Sequence, residues 1–96
     1  MEISRVEKER ILLAYQRYLS SSGVGYICVF LGSISEGSLL DHFEHYMKLQ
    51  GMRNTYDNGI NEYLGIFITD FDDDNLIVYQ SIRYMVLEHF LDSLMD

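Results

Sequence analysis

The sequence predicts an α+β fold. It is a two-layer body in the order α-β-α-β-β-α, a small three-stranded sheet with helices packed on it. Three observations predict it. Residues 5–19, 36–50 and 81–94 space their apolar side chains as helices do. Residues 24–31, 63–69 and 76–80 are short apolar runs rich in β-branched and aromatic side chains. Breaks rich in serine, glycine, asparagine or aspartate separate several of these runs. Ninety-six residues suffice for one domain, 1–96.

The first helix opens at a capping box, Ser4-Arg5-Val6-Glu7. Ile11, Tyr15 and Leu19, with Leu12, Leu13 and Tyr18, form its apolar stripe, and Ser20-Ser21-Ser22-Gly23 ends it. Residues 24–31 (VGYICVFL) are continuously apolar and read as a buried central strand. Gly25 would weaken that strand or let another backbone approach. A second capping box, Ser33 to Glu36, opens helix two, whose inner face is Leu39, Leu40, Phe43, Tyr46 and Met47. Gly51 is its stop signal. Residues 52–60 read as loop, sharpest at Asn58-Gly59. Residues 63–69 (YLGIFIT) and 76–80 (LIVYQ) read as an antiparallel hairpin joined by 70–75 (DFDDDN). The last helix carries Ile82, Met85, Val86, His89, Phe90 and Leu94 near one face.

Composition bounds the function. Hydrophobic residues make up 48% and charged residues 23%, which excludes a disordered chain. Seven Lys plus Arg stand against fifteen Asp plus Glu, a net charge of -8. Direct nucleic-acid binding is not expected, because gripping phosphates requires cationic neutralisation. The charge is uneven: residues 1–20 sum to +1, 21–50 to -2 and 51–96 to -7. The single cysteine, Cys28, cannot form an internal disulfide. No signal-peptide core and no membrane span are evident, so a cytoplasmic protein is expected.

The strongest local feature is the acidic run Asp70, Asp72, Asp73, Asp74. As a calcium loop it lacks the required Gly and Glu, since those positions hold Asn75 and Ser81. The plain alternative is a solvated hairpin tip. A recognition surface for a cationic partner is the functional one, since such a partner would relieve the repulsion among four close carboxylates. Asp57, Glu62, Tyr56, Tyr63 and Tyr79 lie in the same acidic half; tyrosine offers rigid contact area with a polar tip. His42 and His45 share a helix face but lack a third ligand, and His89 reads as a partly buried helix residue. Cys28 reads as an inert core residue. No nucleophile elbow or phosphate loop is present. No cofactor, no metal and no catalysis are expected.

Residues 29–43 (VFLGSISEGSLLDHF) and 67–76 (FITDFDDDNL) together resemble small immunity proteins of bacterial polymorphic-toxin and contact-dependent inhibition systems. The resemblance covers about half the chain. It implies a non-enzymatic protein that binds a cognate toxin domain, often a nuclease, and blocks it. On it, Glu36 and the acidic run become candidate contacts. The electrostatics agree, because a basic phosphate-binding site would attract an acidic partner. Two alternatives stand beside it: an acidic mimic of DNA that occupies a defence enzyme, and a metal-dependent enzyme using the acidic run. An open sheet edge would also allow a homodimer.

Overall fold

Ser4 starts the first helix where its spacing predicts. The Glu7 amide donates to Ser4 Oγ at 3.1 Å, and the Ser4 hydroxyl donates to the Glu7 carboxylate at 3.4 Å. Helix α1 spans Arg5–Ser22 and buries Leu12, Tyr15 and Leu19. Ile11, Ala14 and Tyr18 pack beside that stripe, and Leu13 faces out. The computed structural model describes the backbone at residues 1–22, 25–34, 38–50, 53–55, 60–63, 66–68 and 76–95, and the side chains at 1–22, 25–34, 38–50 and 80–95.

Within the strand expected over residues 24–31, residues 27–31 are helical. α2 spans Ile27–Ile34 and buries Ile27, Phe30 and Leu31, at spacings of three and four. Val29, which a central strand would bury, is 47% exposed. A continuous apolar run carries no periodicity of its own, so its neighbours decide whether it coils or extends. Gly25 sets the entry angle. Its φ is +65°, a conformation that side chains with a Cβ rarely adopt, and a Cβ there would run into the Leu19 side chain. Its carbonyl accepts a hydrogen bond from the buried Tyr15 hydroxyl.

α3 spans Ser38–Leu49 and buries Leu39, Phe43 and Met47, with Leu40 and Tyr46 half-buried alongside. This is the inner face read from the sequence. The second capping box is not where it was expected. Ser33 belongs to α2, where its hydroxyl donates to the Phe30 carbonyl at 2.7 Å, the back-bond of a serine inside a helix. Glu36, its expected partner, and the stop signal Gly51 lie outside the described residues.

Three short strands follow: β1 at Arg53–Thr55, β2 at Ile60–Tyr63 and β3 at Ile66–Ile68. They pair antiparallel in the order β1-β2-β3, with Asn61 opposite Asn54 on one side and Ile68 on the other. β3 falls within the strand expected at 63–69, whereas β1 falls in the expected loop. The turn signal Asn58-Gly59 lies outside the described residues.

The strand expected at 76–80 is the first turn of α4, which spans Leu76–Ser93. Its buried stripe is Arg83, Val86, Leu87, Phe90 and Leu91, spaced at three and four throughout. The expected face is therefore rotated by one position. Val86 and Phe90 are buried and Ile82 and Leu94 half-buried, but Met85 and His89 are exposed. An arginine inside the stripe disguised it.

These elements replace the predicted architecture. Of the residues whose side chains are placed, 85% are helical, and none is in a strand. The expected two-layer α+β body needed residues 24–31 and 76–80 as strands beside 63–69. Residues 27–31 and 76–80 are helical instead, and the described core is built by four helices. α1 and α4 run antiparallel. The Ile3 amide donates to the Leu94 carbonyl at 3.0 Å near one end, and Gln80 Nε2 donates to the Leu19 carbonyl at 3.3 Å near the other. Phe30 of α2 packs on Tyr15 and Tyr18 of α1, at centroid distances of 5.0 and 5.5 Å. Phe90 of α4 meets Phe43 of α3 edge-on at 5.1 Å.

Lys8 and Asp92 tie α1 to α4 at 2.5 Å. The hydrogen bond to Asp92 raises the Lys8 pKa above its ordinary value; the Asp92 and Glu88 charges add to this, while desolvation and Arg5 oppose it. Burial also raises the Tyr46 pKa. In both cases the folded state binds more protons than the unfolded chain once pH passes the unfolded pKa, about 10 to 10.5. The stabilisation by Lys8 is therefore complete below that window and lost as pH rises through the folded value. Lys8→Met is expected to melt below the unsubstituted protein at pH 8, with the difference closing above pH ~10.5. Thermal melts across that range test it; a difference that does not change with pH would refute the assignment.

Candidate functional site

Asp70, Asp72, Asp73, Asp74, Asp57, Tyr56 and Glu36 lie outside the described residues. Glu62 and Tyr63 are on the backbone of β2, where Glu62 stands opposite Arg53 of β1 and Phe67 of β3 in register. Tyr79 is in the first turn of α4 rather than on a strand. The backbones of β2, which carries Glu62 and Tyr63, and of α4, which carries Tyr79, approach each other.

The structure sharpens the charge asymmetry. Residues with placed side chains hold seven acids and six bases, a net charge of -1. All remaining excess, -7, belongs to the rest of the chain, where eight acids stand against Arg53 alone. The helical body is thus nearly neutral, and the acidity is concentrated in the segment between α3 and α4. A charge segregated in this way acts on encounter and partner choice rather than on the helical core.

The other candidates resolve more simply. His42 is half-buried and His45 exposed on α3, where His45 shares a shallow hollow with Asp41, Glu44 and Lys48. Among the described residues no three His, Cys, Asp or Glu side chains are placed to hold a metal ion. Cys28 is half-buried on α2, against the core. Among the described residues no helix is long and apolar enough to cross a membrane.

Two features escaped the sequence. Arg83 is fully buried, with its guanidinium carbon 5.4 Å from the centre of the Tyr26 ring. Its helical spacing from Val86, Leu87, Phe90 and Leu91 was the available signal, visible once 76–93 is taken as one helix. Beside it, where the end of α1 meets the start of α4, Gln16, Ser20, Gln80, Ser81 and Tyr84 line a cleft of about 410 Å³ over Leu19. Its polar side chains are amides, hydroxyls and a phenol, suited to hydrogen-bonded recognition. Comparison of the chain with protein-family models, with curated proteins and with solved structures finds no match in any of the three.

Proposed function

We propose that this chain is a non-enzymatic binding protein of the immunity type. It associates with a basic toxin domain, of the kind that grips nucleic acid, and neutralises it by covering the active site. The supporting observation is the segregation of charge along the chain: the residues of the helical body sum to -1, whereas the segment between α3 and α4 holds six acids and one base, a sum of -5. Asp70, Asp72, Asp73 and Asp74 supply the electrostatic complement to the cationic site. Asp57, Glu62, Tyr56, Tyr63, Tyr79 and Glu36 are the secondary contacts. A surface of this kind accelerates association and makes it salt-sensitive.

The test is co-purification with the product of the neighbouring gene, followed by assay of that product's nuclease activity with and without this chain. The triple variant Asp72→Asn, Asp73→Asn, Asp74→Asn is expected to slow association by roughly tenfold or more at low salt, and less at high salt. Circular dichroism checks that the variant keeps its helices. Full protection by a folded variant, with unchanged association kinetics, would remove the acidic run from the interface. Failure of the two products to associate at all would remove the proposed function.

A further inference from the structure

The outward side of α1 bears a stripe that the function above does not use. Val6, Arg10, Leu13 and Arg17 recur at intervals of four, three and four, which places them within about 60° of one another around the helix. All four are exposed, Val6 at 63% and Leu13 at 49%. The core-facing stripe of Leu12, Tyr15 and Leu19 lies on the opposite side.

Two bases that enter no ion pair among the described residues, Arg10 and Arg17, also lie here. Four bases lie on α1. Arg5 pairs with Glu9 at 3.4 Å and Lys8 with Asp92 at 2.5 Å. Among the described residues no ion pair involves Arg10 or Arg17, and positions 13, 14, 20 and 21, the helical neighbours of Arg17, hold no acid. Two arginines and two aliphatic side chains therefore alternate on one exposed face of a protein whose net charge is -8.

A second copy of the chain is a poor occupant. Two α1 stripes pairing antiparallel would gather four arginines on one seam, and of the acids flanking it Glu9 already pairs with Arg5 and Glu7 with Ser4. An anionic membrane is also a poor one, since the whole molecule is strongly acidic and offers it only Val6 and Leu13 here. Charge complementarity favours a partner bearing acids among apolar side chains. We propose that the outer face of α1 docks an acidic amphipathic helix of a partner protein, its carboxylates seven residues apart on Arg10 and Arg17 and its apolar side chains on Val6 and Leu13. Seven residues span about 10.5 Å of helix in either partner, so the two sets of charges stay in step over two turns.

The test uses the full chain, isotopically labelled, titrated with two helix-forming peptides. The peptides share a leucine stripe and differ only in carrying Glu or Lys at every seventh position. The Glu peptide is expected to shift the amide resonances of residues 6–17 and to bind more tightly than the Lys peptide. The variant Arg10→Glu, Arg17→Glu should lose about tenfold in affinity for the Glu peptide, as two exposed attractions become repulsions. The same variant should gain affinity for the Lys peptide, a reversal that misfolding could not produce. Absence of shifts with the Glu peptide, equal binding of both peptides, or shifts centred elsewhere would overturn the proposal. So would a dimer in sedimentation that dissociates in the charge-reversed variant, or arginine-dependent binding to phosphatidylglycerol vesicles in place of the peptide.

Discussion

Replacing Phe90 by alanine is expected to lower the unfolding free energy by about 3–5 kcal/mol. Phe90 is fully buried and joins two helices. It meets Phe43 edge-on at 5.1 Å and Tyr46 at 5.4 Å, both on α3. Truncation removes the apolar area and both ring contacts, and leaves a cavity that rigid helices fill only in part. A domain of this size has a total stability of about 5–15 kcal/mol, so the variant stands near the threshold of unfolding. Phe90→Leu keeps most of the volume and is expected to cost about 1.5 kcal/mol. Val29→Ser is the control. On an exposed helical position it should change stability by no more than about 0.5 kcal/mol. On the buried central strand read from residues 24–31 it would have cost several times that. Denaturant midpoints at constant slope measure all three. A large effect of Val29→Ser would refute the helical placement of α2.

Arg83→Ala is expected to cost about 3 kcal/mol, although the substitution removes a charge from the interior. The side chain is fully buried and its guanidinium lies over the Tyr26 ring. A desolvated contact of this type contributes up to about 2 kcal/mol, and the emptied volume adds to the loss. Arg83→Met keeps much of the packing and is expected to fall between the alanine variant and the unsubstituted protein. Arg83→Lys keeps the charge without the planar group that stacks on a ring, so it should not restore full stability. A double-mutant cycle of Arg83→Met with Tyr26→Leu is expected to give a coupling of roughly 0.5–2 kcal/mol. Zero coupling would show that the ring contact contributes nothing.

Local signals made α1 and α3 legible. Ser4 and Glu7 carry a capping box that operates on neighbouring backbone groups whatever the rest of the chain does. In α3 the apolar positions alternate with Asp41, Glu44, His45 and Lys48, so the spacing has a unique solution. Residues 24–31 have no polar position to mark a period, and their β-branched and aromatic content favoured a strand. Tyr15, Tyr18 and the left-handed turn at Gly25 impose the helix instead. At 76–80 the same ambiguity recurs in five residues, and continuity with the rest of α4 settles it. The candidate contacts were legible as charge alone: the acidic run is plain in the sequence, and all of it lies outside the described residues. Arg83 was illegible because charged side chains are assigned to the surface by default.

By itself the sequence determined the start of α1, the inner faces of α1 and α3, and the concentration of negative charge in the second half of the chain. These are local or additive properties. Only the tertiary structure decided whether the uniformly apolar runs coil or extend, which side of α4 turns inward, and that an arginine belongs to the core. An apolar run lowers its free energy by burial in either conformation, so the partners available to cover it make the choice. Here those partners are aromatic side chains on helices, and the described core is helical.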